Sequence, residues 1–170
     1  LPLLRAFDIP GIDAIWRQAD ITAPRDPGNG FFPRFAASAA AQNGSNLAMS
    51  ESFAIYGAGT TGDEMRYCLN FQLARGINLF NFMSASYGRG GMLALAMRPS
   101  FTPEMPGYEH LRAINEFCAR ASHLCRLGAR KAKTALYYPV RDILSGGEPA
   151  ARSAASFDRL ARDMERRGID

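Results

Sequence analysis

At 170 residues, 47% of them hydrophobic and 21% charged, the chain carries enough apolar content for the core of one ordinary globular domain. Its net charge of +4 and pI near 9.2 do not single out nucleic acid as a partner: the basic residues are dispersed among acids, and the one dense cluster, Arg126 to Lys133, sits at a helix end where cations offset the dipole. No apolar run reaches the length of a membrane span, so a membrane is not expected as a partner either.

Leu1 to Phe7 has the pattern of an amphipathic helix end, stopped by Asp8-Ile9-Pro10-Gly11. Ile12 to Trp16 alternates and carries branched and aromatic residues, which predicts a strand with Trp16, Arg17 and Gln18 at its C-terminal rim. Asp20 to Phe32 is too rich in Pro, Gly and Asp for regular structure and is expected to be a long loop. Phe31 and Phe32 at its end suit either a pocket wall or packing against the next helix. That helix is predicted over Pro33 to Gln42, with Pro near the first position and Asn43-Gly44 as its stop.

A second strand, Leu47 to Phe53, delivers a single acid, Glu51, bracketed by Ser50 and Ser52. The glycines of Tyr56 to Gly62 match neither the dinucleotide nor the P-loop spacing. Thr61 and Glu64 instead have the spacing of a capping box, opening a helix that runs to about Arg75 with Gly76 as its stop. Ile77 to Met83 is a continuous apolar run of strand length, followed by a loop from Ser84 to Gly91. After an irregular stretch, Leu111, Ile114, Cys118, Ala121 and Cys125 form one stripe of a long helix ended by Gly128. Thr134 to Tyr138 predicts a further strand, Ser145 to Ser153 a loop, and Ser156 the cap of a last helix bearing Phe157, Leu160, Ala161 and Met164.

Cys68, Cys118 and Cys125 all fall on apolar helical faces and are expected as buried free thiols, without the spacing of a zinc site or disulfide framework. His110 and His123 lack ligand spacing. The chain opens at Leu1 without an initiator methionine, and Arg167-Gly168-Ile169-Asp170 has the form of a helix stop leading into a strand. The expectation is therefore an internal piece of a longer protein.

Alternating strands and helices predict an α/β fold with a parallel sheet, compatible with an open doubly wound sheet or with part of a closed barrel. Three blocks carry a family resemblance: Asp8 to Gln18, Ser50-Glu51-Ser52-Phe53-Ala54-Ile55-Tyr56-Gly57, and Arg75 to Phe80. They resemble the C-terminal part of the TIM barrel of large glycoside hydrolases, most nearly the α-L-rhamnosidase-like group and more distantly the multidomain β-galactosidases. The similarity extends over nearly the whole chain, with the Ser-Glu-Ser-Phe block its specific part. The resemblance implies that residues 1–130 hold strands six to eight of a (β/α)8 barrel, and that residues 131–170 begin a flavodoxin-like domain.

On the same resemblance Glu51 is one of two catalytic carboxylates, a nucleophile in a retaining enzyme or a general base in an inverting one. Its partner acid would come from an earlier strand outside this sequence, so the fragment alone is expected to be inactive and to need the rest of its parent chain. Trp16 would offer a stacking face for sugar rings, and Arg17, Gln18, Ser50 and Tyr87 would contact the carbohydrate substrate. Asp13, by contrast, is expected near the start of its strand and away from the site. No cofactor is implied, although the intact enzymes admit a calcium ion, and a periplasmic or extracellular setting is favoured over the cytoplasm. Two other classes fit the sequence: a non-catalytic carbohydrate-binding relative of the barrel, and a flavodoxin-like binding module.

Overall fold

A computed structural model describes residues 2–19, 21, 30–88, 90–92, 98–128 and 131–169. The chain is an α/β protein in which three parallel strands alternate with helices. Strands β1 (Gly11–Ala14), β2 (Met49–Ser52) and β3 (Leu79–Phe82) lie side by side in chain order. Helix α1 (Pro33–Gln42) connects the first pair and α2 (Gly62–Leu73) the second, and α3 (Tyr108–Arg126) follows the sheet. Most of the loop expected between β1 and α1, residues 20 and 22–29, lies outside the described residues, as do Arg89 and residues 129–130 of the basic cluster.

The register places Gly11, Met49 and Leu79 in one row and Asp13, Glu51 and Asn81 in another on one face of the sheet. Ile12, Ser50 and Phe80, with Ala14, Ser52 and Phe82, form the opposite face. Among the described residues only the second face is covered by helices. Ala36 and Ala40 of α1 pack with Ala48 and Ile77 beside Ile12 and Phe80, their small side chains letting the helix lie close. Met65, Cys68 and Leu69 of α2 join Ala14, Phe53, Ile114 and Cys118 in the larger core. On the first face Asp13, Met49 and Asn81 are exposed.

Local signals placed these helices well. Thr61 and Glu64 form the expected capping box, the Thr61 hydroxyl accepting from Glu64 N at 3.2 Å and the Glu64 carboxylate accepting from Thr61 N at 2.7 Å. Gly44 and Gly76 both have positive φ at the helix exits. Asn43 and Asn78 satisfy backbone groups: Asn43 Nδ2 donates to Arg5 O, and Asn78 bridges Asn46 O and Ala48 N.

Several elements differ from the sequence expectation. The strands are four residues long, because β1 and β2 give way to left-handed backbone at Trp16 and Phe53. The N-terminal helix end is a single 3-10 turn, Leu4–Ala6. Thr134 to Tyr138 is not a strand: it runs over the outer side of α1, where no sheet edge offers ladder partners. Val140–Ser145 is a short helix, α4, and Ser145 to Ser153 is not a loop but mostly the start of α5 (Gly147–Arg166). The Ala-rich composition favours helix there, and Pro149 falls in the first turn, where a missing N–H costs nothing.

The C-terminal segment is tied to the sheet's helical layer. Phe31, Phe35, Tyr138 and Phe157 form an aromatic cluster with centroid separations of 4.9 to 6.0 Å, so Phe31 packs on α1 and α5. Phe32 meets Phe71 of α2. Glu165 accepts from Arg75 Nε at 3.1 Å and pairs with Arg34 Nε at 3.5 Å, all three side chains being mostly buried. No described helix is long and apolar enough to cross a membrane.

The thiols divide differently from the sequence expectation: Cys68 and Cys118 are buried, but Cys125 is exposed. Helix α3, 19 residues and about 28 Å long, outruns strands about 13 Å long, leaving its last turn without a core to face. Burial pushes the Cys68 thiol up to about 11, beyond the range in which it ionises readily. Under native conditions iodoacetamide should therefore modify Cys125 while Cys68 and Cys118 react only on unfolding, as peptide mass spectrometry would show.

Candidate functional site

The two serines around Glu51 do not share its surroundings. Ser50 and Ser52 are both fully buried on the helix-facing side, with their hydroxyls 3.0 Å apart. Gln72 Nε2 of α2 donates to Ser52 Oγ at 3.2 Å and to Cys68 Sγ at 3.3 Å, and Cys68 Sγ lies 3.3 Å from the Tyr56 hydroxyl. That hydroxyl in turn lies 3.4 Å from both the nitrogen and the carbonyl oxygen of Ala19. A continuous buried polar chain thus links β2 to α2 and to the loop after β1. Every buried side-chain nitrogen and oxygen among the described residues is satisfied.

With Ser50 and Ser52 held inward, strand alternation turns Glu51 to the uncovered face, one residue from the end of β2. Asp13 is its direct register partner on β1, and Asn81 on β3. Asp13 is therefore level with Glu51, contrary to the expectation that it lies away from the site. The reason is that β1 begins at Gly11 and ends at Ala14, so Asp13 is the third of four residues, as Glu51 is in β2. Burial first, and the neighbouring Asp13 charge second, raise the Glu51 carboxyl above the ordinary range.

The rim beyond the strands is strained. Trp16, Arg17, Phe53 and Ile55 all have positive φ, between 52° and 78°. For non-glycine residues, and for β-branched Ile55 above all, this costs about 1 kcal/mol or more per residue. The change of hand at Phe53 breaks the alternation, so that its ring enters the core beside Ser52 and meets Phe82, Phe101 and Tyr56 at 4.9, 6.0 and 5.5 Å. Backbone bonds hold the turn: Trp16 N to Ala54 O, Phe53 N to Ala14 O, and Gly57 N to Arg98 O, each 3.0 Å. Phe101 N donates to Ser84 O, just after the cis Met83–Ser84 peptide, so the 98–101 segment joins the ends of β2 and β3.

The other sequence-derived candidates scatter around this rim. Trp16 is 64% exposed, and its backbone pairs with the end of β2. Arg17 is committed to an ion pair with Glu64 and to Tyr56 O, which its Nε reaches at 2.8 Å. Although burial raises the Glu64 carboxyl, the Thr61 backbone N–H and the Arg17 guanidinium outweigh it and hold the group below its ordinary value. Gln18 accepts from Ile15 N through its side-chain oxygen, and Tyr87 is fully exposed after β3. Ser50 points away from Glu51, into the buried chain.

Sequence reasoning missed Asp13 and Asn81 as companions of Glu51. The alternation in Ile12-Asp13-Ala14 and Phe80-Asn81-Phe82 turns each polar residue away from its apolar neighbours, but the register that aligns the three emerges only from pairing. No group of three or more His, Cys, Asp or Glu residues suited to a metal ion occurs among the described residues.

Replacing Gln72 with Leu should cost about 1 to 3 kcal/mol in urea unfolding, because it withdraws the donor that links Ser52 to Cys68. The raised Glu51 carboxyl has the opposite consequence for stability. Its folded form binds a proton more tightly than the unfolded chain, so ionised Glu51 opposes folding. That penalty is absent below the ordinary value of 4.5 and grows as pH rises through the folded-state value. Glu51→Gln should accordingly raise the melting temperature relative to the parent sequence at pH 7, with the gain vanishing near pH 4.

Comparison of the chain with protein-family models, with curated proteins and with solved structures finds no match.

Proposed function

We propose that the chain is the C-terminal part of the (β/α)8 barrel of a glycoside hydrolase, with β1 to β3 as strands six to eight. Glu51 would serve as one of the two carboxylates that flank the scissile bond. The single observation that carries this reading is Glu51 on the bare face of a parallel sheet, at the C-terminal end of its strand, with Asp13 and Asn81 beside it.

Parallel sheets are ordinarily covered on both faces. Here consecutive strands are neighbours in chain order, and α1, α2 and α3 pack on one side only. A barrel sector has that asymmetry, because its inner face is covered by the remaining strands and active-site groups gather where the strands end. The resemblance of Ser50-Glu51-Ser52-Phe53 to the hydrolase barrels supports the same reading.

Hydrolysis of a glycosidic bond requires one carboxylic acid to protonate the leaving oxygen and a second carboxylate to attack the sugar or to activate water. Glu51, reaching out from a strand pinned to α2 by buried hydrogen bonds, supplies one of these groups at a fixed position. The exposed Trp16 ring on the same rim gives a stacking surface for a sugar, with the Tyr87 phenol beyond β3 as a hydroxyl partner. Substrates of this reading are oligo- or polysaccharides, α-L-rhamnosides among them. Ser50 contributes to the support of the site and not to its surface.

In the intact hydrolase Glu51→Gln should lower kcat by roughly 100- to 10,000-fold on aryl glycosides. Circular dichroism should show an unchanged fold, and near-normal turnover by the variant would refute the assignment.

A further inference from the structure

The acids at positions 13 and 51 are direct register partners on adjacent parallel strands, which run about 4.8 Å apart, and both side chains stand on the uncovered face. Like charges placed in this way repel. Among the described residues neither carboxylate has a cationic partner or a hydrogen-bond donor to offset that repulsion. On its other flank Glu51 meets Asn81, which is neutral, and the helices lie behind the opposite face. The cations of the adjoining rim are Arg17, committed to Glu64 and Tyr56 O, and Arg98, which forms no ion pair with either acid.

We propose that Asp13 is a positioning residue for Glu51: the two carboxylates form one charge-coupled pair across β1 and β2, and this pair sets the protonation state in which Glu51 meets its substrate. A charged Asp13 makes ionisation of Glu51 costlier, so Glu51 keeps its proton to higher pH than it would beside a neutral residue. The direction of the Glu51 shift, with Asp13 as a cause after burial, agrees with this geometry. Only the consequence for catalysis rests on the glycoside hydrolase reading; the pair itself does not.

The test is a carbon-13 NMR titration of the Glu51 side-chain carboxyl in the 170-residue chain, with amide spectra confirming the fold of each variant. Asp13→Asn should move the Glu51 midpoint to lower pH and collapse a coupled titration into a single step. Asp13→Glu, which restores the charge, should keep the coupled behaviour, and Asn81→Ala should leave it in place. A Glu51 titration identical in the parent sequence and Asp13→Asn would overturn the proposal, whatever the activity. In the intact hydrolase the same substitution should shift the Glu51-dependent limb of the kcat/KM pH profile in the same direction. A titration that shifts in a protein without glycosidase activity would sustain the pair and sink the hydrolase reading alone.

Discussion

The position of Glu51 depends on a chain of buried hydrogen bonds that never touches its side chain. Ser50, Ser52, Gln72, Cys68 and Tyr56 connect the back of β2 to α2 and to the loop after β1. In an apolar interior such groups are costly unless paired, so the network has essentially one satisfactory arrangement. A slip of one residue along β2 would bury Glu51 and expose both serines. The pair of serines is thus the device that aims the acid outward.

A second constraint acts at the strand ends. Left-handed backbone at Trp16, Arg17, Phe53 and Ile55 ends β1 and β2 abruptly and turns Phe53 into the core, where its ring locks the junction against Phe82, Phe101 and Tyr56. Packing of that ring offsets the strain of the turn, and the result is a short, well-defined rim just past Glu51. Strain concentrated beside a candidate site agrees with the general tendency of functional loops to hold sparsely populated conformations. Asp13 and Glu51 add a charge repulsion that no described group relieves.

The C-terminal third shows how far tertiary contacts redirect local pattern. Apolar Thr134-Ala135-Leu136-Tyr137-Tyr138 has the composition of a strand, yet it lies over α1 and contributes Tyr138 to an aromatic cluster with Phe31, Phe35 and Phe157. Glu165, anchored between Arg34 and Arg75, fastens the end of α5 to the first two helices. A strand exists only where another strand offers hydrogen bonds, and the helical layer offers none.

Short-range chemistry was legible in the sequence. The helices over residues 33–42, 62–73 and 108–126 follow from periodicity, a capping box and glycine stops, all of which act within a few residues. The parallel α/β order follows from the alternation of apolar strand-length segments with helical ones. The sequence could not supply the alignment of Asp13 with Glu51 and Asn81, the inward turn of Ser50, the capture of Arg17 by Glu64 or the exposure of Cys125. Each of these depends on which distant segments become neighbours. Strand register, helix overhang and ion-pair choice are properties of the packed assembly, and no local pattern encodes them.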